Sequence, residues 1–187
     1  MDVKEAIDKR RAYRSLEPME ITEDLIHDLA KHAILAPSCF NNQPIRYVFV
    51  YDKDKLMQMR EVLSKGNEWT YEASMIIAVF GKKDTDCIIA DREYYLFDIG
   101  LSTAFLVLRA TELGLVAHPI AGFKGAKTKE ILGIPKDMML ITLVIVGKHS
   151  EKINPVLSEK QVAWEKERPE RLSFEKFAYL NSFENAK

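Results

Sequence analysis

Cysteine is scarce in this chain of 187 residues: there are two, Cys39 and Cys87, far apart and outside any C-x-x-C pair. That usage suggests neither a disulfide framework nor a thiolate zinc site, and Cys39, standing alone beside a loop, reads as packing rather than as a nucleophile. The four histidines show no H-E-x-x-H or comparable ligand spacing, so no structural or catalytic metal is expected. No G-x-G-x-x-G follows a strand pattern and no G-x-x-x-x-G-K-S/T occurs, which leaves a Rossmann dinucleotide unit and a P-loop unsupported. An excess of one charge is missing too. With a formal net charge of -1, no general attraction to nucleic acid or an anionic membrane is expected. The longest apolar helical stretch is broken by Asp98 and Arg109, where a membrane span needs about 20 residues. The N-terminus is charged from its second residue and lacks the apolar core of a secretory signal, so a reducing cytoplasm is the expected compartment.

What is present is the composition of a globular domain, 47% hydrophobic and 29% charged, at a length suited to one domain over residues 1–187. Helical patterns run from Asp2 to about Tyr13, over the segment capped by Thr22 up to Pro37, from Lys53 to Leu63 ending at Gly66-Asn67, from about Asp86 to Leu113, and from Lys124 to Leu132. Apolar, β-branched runs predict strands at Ile45–Tyr51, Ala73–Phe80, Leu115–Ile120 and Met138–Gly147, the first two buried. The order is that of an α+β fold, a central sheet flanked by helices. The Asp86–Leu113 helix is apolar on nearly all sides, more than one subunit of this size can cover, which predicts a homodimer with that helix near the interface. The last forty residues are highly charged but carry aromatic anchors, as an arm embracing a partner would.

Two stretches carry chemistry. In R-R-A-Y-R-S, Arg10 and Arg14 would share a helical face if the first helix persists; converging guanidiniums make a bidentate phosphate clamp, or else a solvated basic turn. Ala36 to Pro44, A-P-S-C-F-N-N-Q-P, offers a hydroxyl and carboxamides that can hydrogen-bond a heteroaromatic edge, or else makes an ordinary loop. Ala121-Gly122 would let a ligand approach the backbone closely. His27 and His32, five apart, read as ordinary surface histidines.

Taken in order, R-R-A-Y-R-S, A-P-S-C-F-N-N-Q-P, P-I-A-G-F at Pro119–Phe123 and the C-terminal R-P-E-R-L-S-F resemble the nitroreductase family of FMN-dependent oxidoreductases. The resemblance implies a three-layer sandwich with a mostly antiparallel sheet, an intertwined homodimer, an arm from about residue 148 to 187, and FMN in clefts at the subunit interface. It implies that Arg10, Arg11 and Arg14 hold the phosphate and ribityl chain. Pro37, Ser38 and Asn41, from the other subunit, and Gln43 would border the flavin, as would Asn67. Pro119, Ile120, Ala121 and Gly122 would lie along its face, and Arg171, or else Arg168 or Lys148, would complete the clamp. NADH or NADPH would supply electrons, a small-molecule acceptor such as a nitroaromatic or quinone would take them in a ping-pong cycle, and no side chain is obligatory as acid or base. Rival readings are a related reductive dehalogenase and a non-catalytic flavin-binding protein. The family's pattern is altered at Ala12, Ile45 and Ala121, the last opening space over the flavin.

Overall fold

The computed structural model describes residues 1–183. Helix α1 (Val3–Lys9) starts with a capping box in which the Asp2 carboxylate accepts from the Glu5 N–H and the Glu5 side chain accepts from the Asp2 N–H. It stops at Arg10, whose ψ of 122° leaves the helical region, so Arg10 and Arg14 share no helical face. The expected extension to Tyr13 does not form. Residues 10–15 instead run out of the helix into β1 (Leu16–Glu17), a two-residue strand with no periodicity to announce it. Helix α2 (Glu23–Ala33) is capped by Thr22, whose hydroxyl accepts from the Leu25 N–H, and it buries Leu29 and Ala33 completely.

Strand β2 (Arg46–Val50) is shorter than expected and only half-buried, because it lies at the sheet edge with β3 as its one neighbour. Helix α3 (Lys53–Met59) ends before Leu63 and tightens into a 3-10 turn over Arg60–Val62. Strand β3 (Met75–Gly81) is buried at every position. The expected helical start at Asp86 is replaced by a small hairpin, β4 (Ile88–Ile89) with β5 (Arg92–Glu93), turned through a left-handed Ala90. Helix α4 therefore covers Tyr94–Glu112. The chain finishes with β6 (Leu115–Ile120), α5 (Gly125–Leu132) ended by left-handed Gly133, β7 (Met139–His149) and α6 (Glu159–Lys166).

The main sheet is antiparallel throughout, and β7 is its hub, pairing with β1, β3 and β6. The period-2 alternation of β3 and β7 sorts the core into two layers. Met75, Ile77, Val79, Val144 and Val146 face α2 and α4, while Ile76, Ala78, Phe80, Leu143 and Ile145 face Trp69, Met59 and Val62. The outcome is a helix–sheet–helix sandwich. Asp28 of α2 takes a two-pronged salt bridge from Arg109 of α4, at 2.6 and 3.0 Å. The outer face of α4 stays apolar and uncovered at Leu96, Phe97 and Phe105. Among the described residues no helix is long and apolar enough to cross a membrane.

The tail is less free than an arm beginning near residue 148 would be. The Ser150 N–H donates to the Ser15 carbonyl, the Asn154 N–H to the Ser15 hydroxyl and the Gln161 amide to the Gly66 carbonyl. The segment up to Arg168 is thus tied to its own chain. Beyond it, Leu172, Phe174, Phe177 and Phe183 remain exposed.

Candidate functional site

Arg10, Arg11, Arg14, Arg168 and Arg171 line one cavity of about 310 Å³, with Ala12, Trp164 and Pro169. The cluster exists because α1 ends at Arg10 and α6 packs its C-terminal half against the extended segment that follows. Glu165 fixes this junction. It is buried, and its two carboxylate oxygens accept from the backbone N–H groups of Arg14 and Ser15 at 2.7 and 3.0 Å.

The arginines are held in different ways. Arg11 donates to the Trp164 carbonyl at 2.8 Å. Arg14 lies between two indoles, its guanidinium carbon 5.9 Å from the Trp69 ring centre and 5.5 Å from that of Trp164. Arg168 donates to the backbone carbonyls of Asp8 and Arg10, and Arg171 to that of Pro169. The Arg10 side chain has no hydrogen-bonding or ion-pairing partner among the described residues. Burial pushes its guanidinium below the ordinary value, and the neighbouring charges of Arg168, Arg171 and Arg11 push it further. Burial also lowers Arg14, against the opposing pull of Glu165. Guanidiniums crowded together with no carboxylate of the chain among the cavity-lining residues make a receptor for a multiply charged anion.

The end of β6 packs against Asn67. Asn67 donates from Nδ2 to the Gly122 carbonyl at 3.0 Å and accepts from the Trp69 indole at 3.3 Å, so it reaches the site through the backbone it holds. A Cβ on Gly122 would come within 2.5 Å of that Nδ2, so glycine here lets the Asn67 amide pack against the backbone. Pro119 and Ala121 are exposed, whereas the Ile120 side chain belongs to the core and can offer a ligand only its backbone. Lys148 is paired with Glu17 at 2.8 Å and does not line the arginine cavity.

His118 lies beneath, stacked on Trp69 with ring centres 4.8 Å apart. Its Nδ1 is 3.1 Å from the Tyr13 carbonyl, an acceptor, so Nδ1 carries the proton. Burial pushes the imidazole down to about 4; the Tyr13 hydrogen bond opposes this and Arg14 and Arg10 reinforce it. An unfolded histidine binds its proton near 6.5. Between these values the unfolded chain holds more protons, so the histidine's contribution to stability is complete above about pH 6.5 and is lost as pH falls toward 4. We expect roughly 2 kcal/mol of unfolding free energy to disappear between pH 7 and pH 5 on this account. In His118→Asn, which keeps a donor toward Tyr13 and does not titrate, that part of the pH dependence should vanish; equal slopes in denaturant titrations of the two proteins would refute the assignment.

The Ala36–Pro44 loop sits elsewhere on the chain. Phe40, Asn41 and Gln43 have φ values of 48°, 59° and 50°, left-handed conformations that cost L-residues other than asparagine about 1–2 kcal/mol each. Internal bonds offset part of that cost: the Ser38 hydroxyl accepts from the Gln43 N–H at 3.0 Å, and the Gln43 amide donates to the Asn41 carbonyl at 3.1 Å. The loop is fixed outward to the hairpin and α4. The Cys39 N–H donates to Asp98 at 2.6 Å, the Asn42 amide to Asp86 at 3.1 Å, and Cys39 is disulfide-bonded to Cys87. That disulfide corrects the expectation drawn from cysteine spacing. Asp86 lies with the two sulfurs in a group whose ligand atoms are within 4.8 Å of one another, but both thiols are engaged in the bond. Asp98 is buried, and burial foremost, then Asp86, raises its carboxyl above the ordinary value. The Asp86 Oδ2 is buried without a hydrogen-bond partner among the described residues.

The structure thus puts Arg10, Arg11, Arg14 and Arg171 around one cavity, ties Asn67 to Gly122 and Trp69, and sets Pro37, Ser38 and Gln43 beside Asp98 and Ser102 of α4. Sequence reasoning missed Glu165, Trp164 and His118. Only Trp164, an indole in a charged segment, carried a signal.

An antiparallel sheet between helical layers, with an arginine-lined cavity at the edge of one layer, makes this an α+β protein. The chain belongs to the nitroreductase family, whose model matches residues 7–68 and 63–148. It is 25% identical to the NADH dehydrogenase of Thermus thermophilus, over 88% of this chain and 96% of that one. Among solved structures, a protein described as an oxidoreductase containing FMN superposes with a TM-score of 0.81 at 24% identity, covering 98% of this chain and 93% of the other. An FMN-dependent nitroreductase from Clostridium difficile R20291 gives 0.72 at 20% identity, covering 95% and 98%.

Proposed function

We propose that this chain is an FMN-dependent oxidoreductase that uses NAD(P)H to reduce nitroaromatic, quinone or similar small acceptors. The observation that carries the reading is the arginine cavity. Arg10, crowded by like charge and without a partner of its own, fits the terminal phosphate of FMN. The small residues Ala121 and Gly122, past the end of β6, fit a planar ring laid against backbone.

FMN, when bound, supplies the chemistry, accepting a hydride equivalent from NAD(P)H and returning electrons to the acceptor in a ping-pong cycle. The chain binds and orients. Arg10 and Arg171 grip the phosphate, Arg11 and Arg14 set the positive field around it, and Asn67 holds the Gly122 backbone for the ring. The backbone N–H groups of Ala121 and Gly122, past the end of β6, would be available to hydrogen-bond the edge of a bound flavin ring.

Residues 1–187 form one FMN-binding domain acting as a homodimer, with residues 184–187 outside the described structure. The exposed Leu96, Phe97 and Phe105 of α4 supply an apolar face for the partner, and Leu172, Phe174, Phe177 and Phe183 an arm to embrace it. In that dimer Pro37, Ser38, Asn41 and Gln43 complete the cofactor site of the other subunit.

The test is purification with FMN followed by anaerobic addition of NADH or NADPH, with sedimentation of the same sample. A yellow dimer whose flavin absorbance bleaches with one of the two donors is the expected result. A protein that binds FMN but is reduced by neither would instead be a non-catalytic flavin-binding protein, and a monomer would contradict the shared site.

A further inference from the structure

The chain's two cysteines, one in the Ala36–Pro44 loop and one at the start of the hairpin preceding α4, form a single disulfide. Apart from the bond between Arg46 and the Gln43 carbonyl, the side-chain ties of residues 38–43 to the rest of the described chain converge there. They are the disulfide and the hydrogen bonds to Asp86 and Asp98. The disulfide is the one covalent tie among them. It restrains a backbone with three left-handed residues, and next to it stands Phe40, 87% exposed. Both cysteines are partly exposed, within reach of a small thiol.

We propose that Cys39–Cys87 is a thiol–disulfide switch on the cofactor loop. The disulfide form presents Ser38, Asn41 and Gln43, and reduction by a dithiol releases the loop and weakens FMN binding. In the step, one thiolate of the dithiol attacks a sulfur of the pair and the S–S bond breaks. The second thiolate then displaces the mixed disulfide. Two electrons and two protons pass to Cys39 and Cys87, and the dithiol leaves as its cyclic disulfide. A disulfide exposed enough to exchange with thiols belongs with labile, regulatory bonds rather than inert structural ones.

This inference rests on the loop bordering FMN, so the experiment reads loop and cofactor separately. Full-length apoprotein, oxidised in air or reduced with dithiothreitol, is titrated with FMN in the dark by fluorescence quenching. Free thiols are counted after denaturation, and chymotryptic cleavage at Phe40 is timed without FMN. The expected result is no free thiol in the oxidised form and two after reduction, an FMN Kd at least tenfold weaker in the reduced form, and faster cleavage at Phe40. Cys39→Ser/Cys87→Ser should match the reduced protein and ignore dithiothreitol. Two free thiols in the air-equilibrated protein, an equal FMN Kd in both states, or equal cleavage at Phe40 in both states would each overturn the switch. If neither form binds FMN, the cofactor reading fails by itself. Reduction-accelerated cleavage would then still uphold the loop switch, and unchanged cleavage would reject it.

Discussion

Arg10→Ala/Arg171→Ala should purify colourless, with FMN affinity lowered at least 100-fold. Five guanidiniums line the cavity, but they do not contribute alike. Arg11, Arg14 and Arg168 are occupied in holding the chain together through carbonyls and indoles. The Arg10 side chain has no such partner among the described residues, and Arg171 bonds only to the nearby Pro169 carbonyl. These two have donors to give. Each charge-assisted hydrogen bond to a phosphate contributes about 1.5–3 kcal/mol, and a tenfold change in affinity corresponds to about 1.4 kcal/mol. Losing two predicts a 100-fold effect or more. The apoprotein should be no less stable, since Arg168 bonds to the Arg10 carbonyl rather than its side chain and mutual repulsion is relieved. Retention of one FMN per chain would reject the clamp, and a large loss of apoprotein stability would assign these arginines to folding instead.

Glu165→Ala should lose about 2–6 kcal/mol of unfolding free energy and bind FMN more weakly, although Glu165 is itself an acid beside the arginine cavity. The carboxylate receives two backbone N–H groups, those of Arg14 and Ser15, in a buried position. Alanine leaves both donors without acceptors, at about 1–3 kcal/mol each. Glutamine keeps one acceptor oxygen and should fall between alanine and the native residue. If charge alone mattered, removing an acid here would strengthen anion binding, so a tighter FMN complex in Glu165→Ala would refute the positioning role. Urea denaturation of the three proteins, paired with FMN titration, separates the alternatives.

How far the sequence could be read depended on whether a feature was periodic or depended on distant partners. The apolar runs Ala73–Phe80 and Met138–Gly147 and the Thr22 cap are local signals, and strands form over Met75–Gly81 and Met139–His149, within two residues of where the runs put them. The apolar Ile88-Ile89 pair looked like the first turn of a long helix. It forms a hairpin because Asp86 and Cys87 are tied back to the Ala36–Pro44 loop. Strand β2 has the composition of a buried strand, but its edge position leaves it half-exposed. The convergence of arginines was suggested by R-R-A-Y-R, though not by the helical face first imagined for it; the gathering agent is Glu165, which in E-K-Q-V-A-W-E-K-E-R looks like any surface acid. The disulfide joins residues 48 apart, a separation that carries no local signal.

The hub of the sheet is β7, and it is the last of the strands to be synthesised. Until Met139–His149 leaves the ribosome, β3 has one neighbour of its final two, and β1 and β6 have none. The fully apolar Met75–Gly81 strand must therefore wait with an open edge, the condition under which nascent chains aggregate or recruit chaperones. The arginine cavity closes later still, when α6 delivers Glu165 to a segment made at the very start. Chains stopped before residue 139 should accumulate as insoluble material, and the arginine cavity assembles only after the sheet has closed.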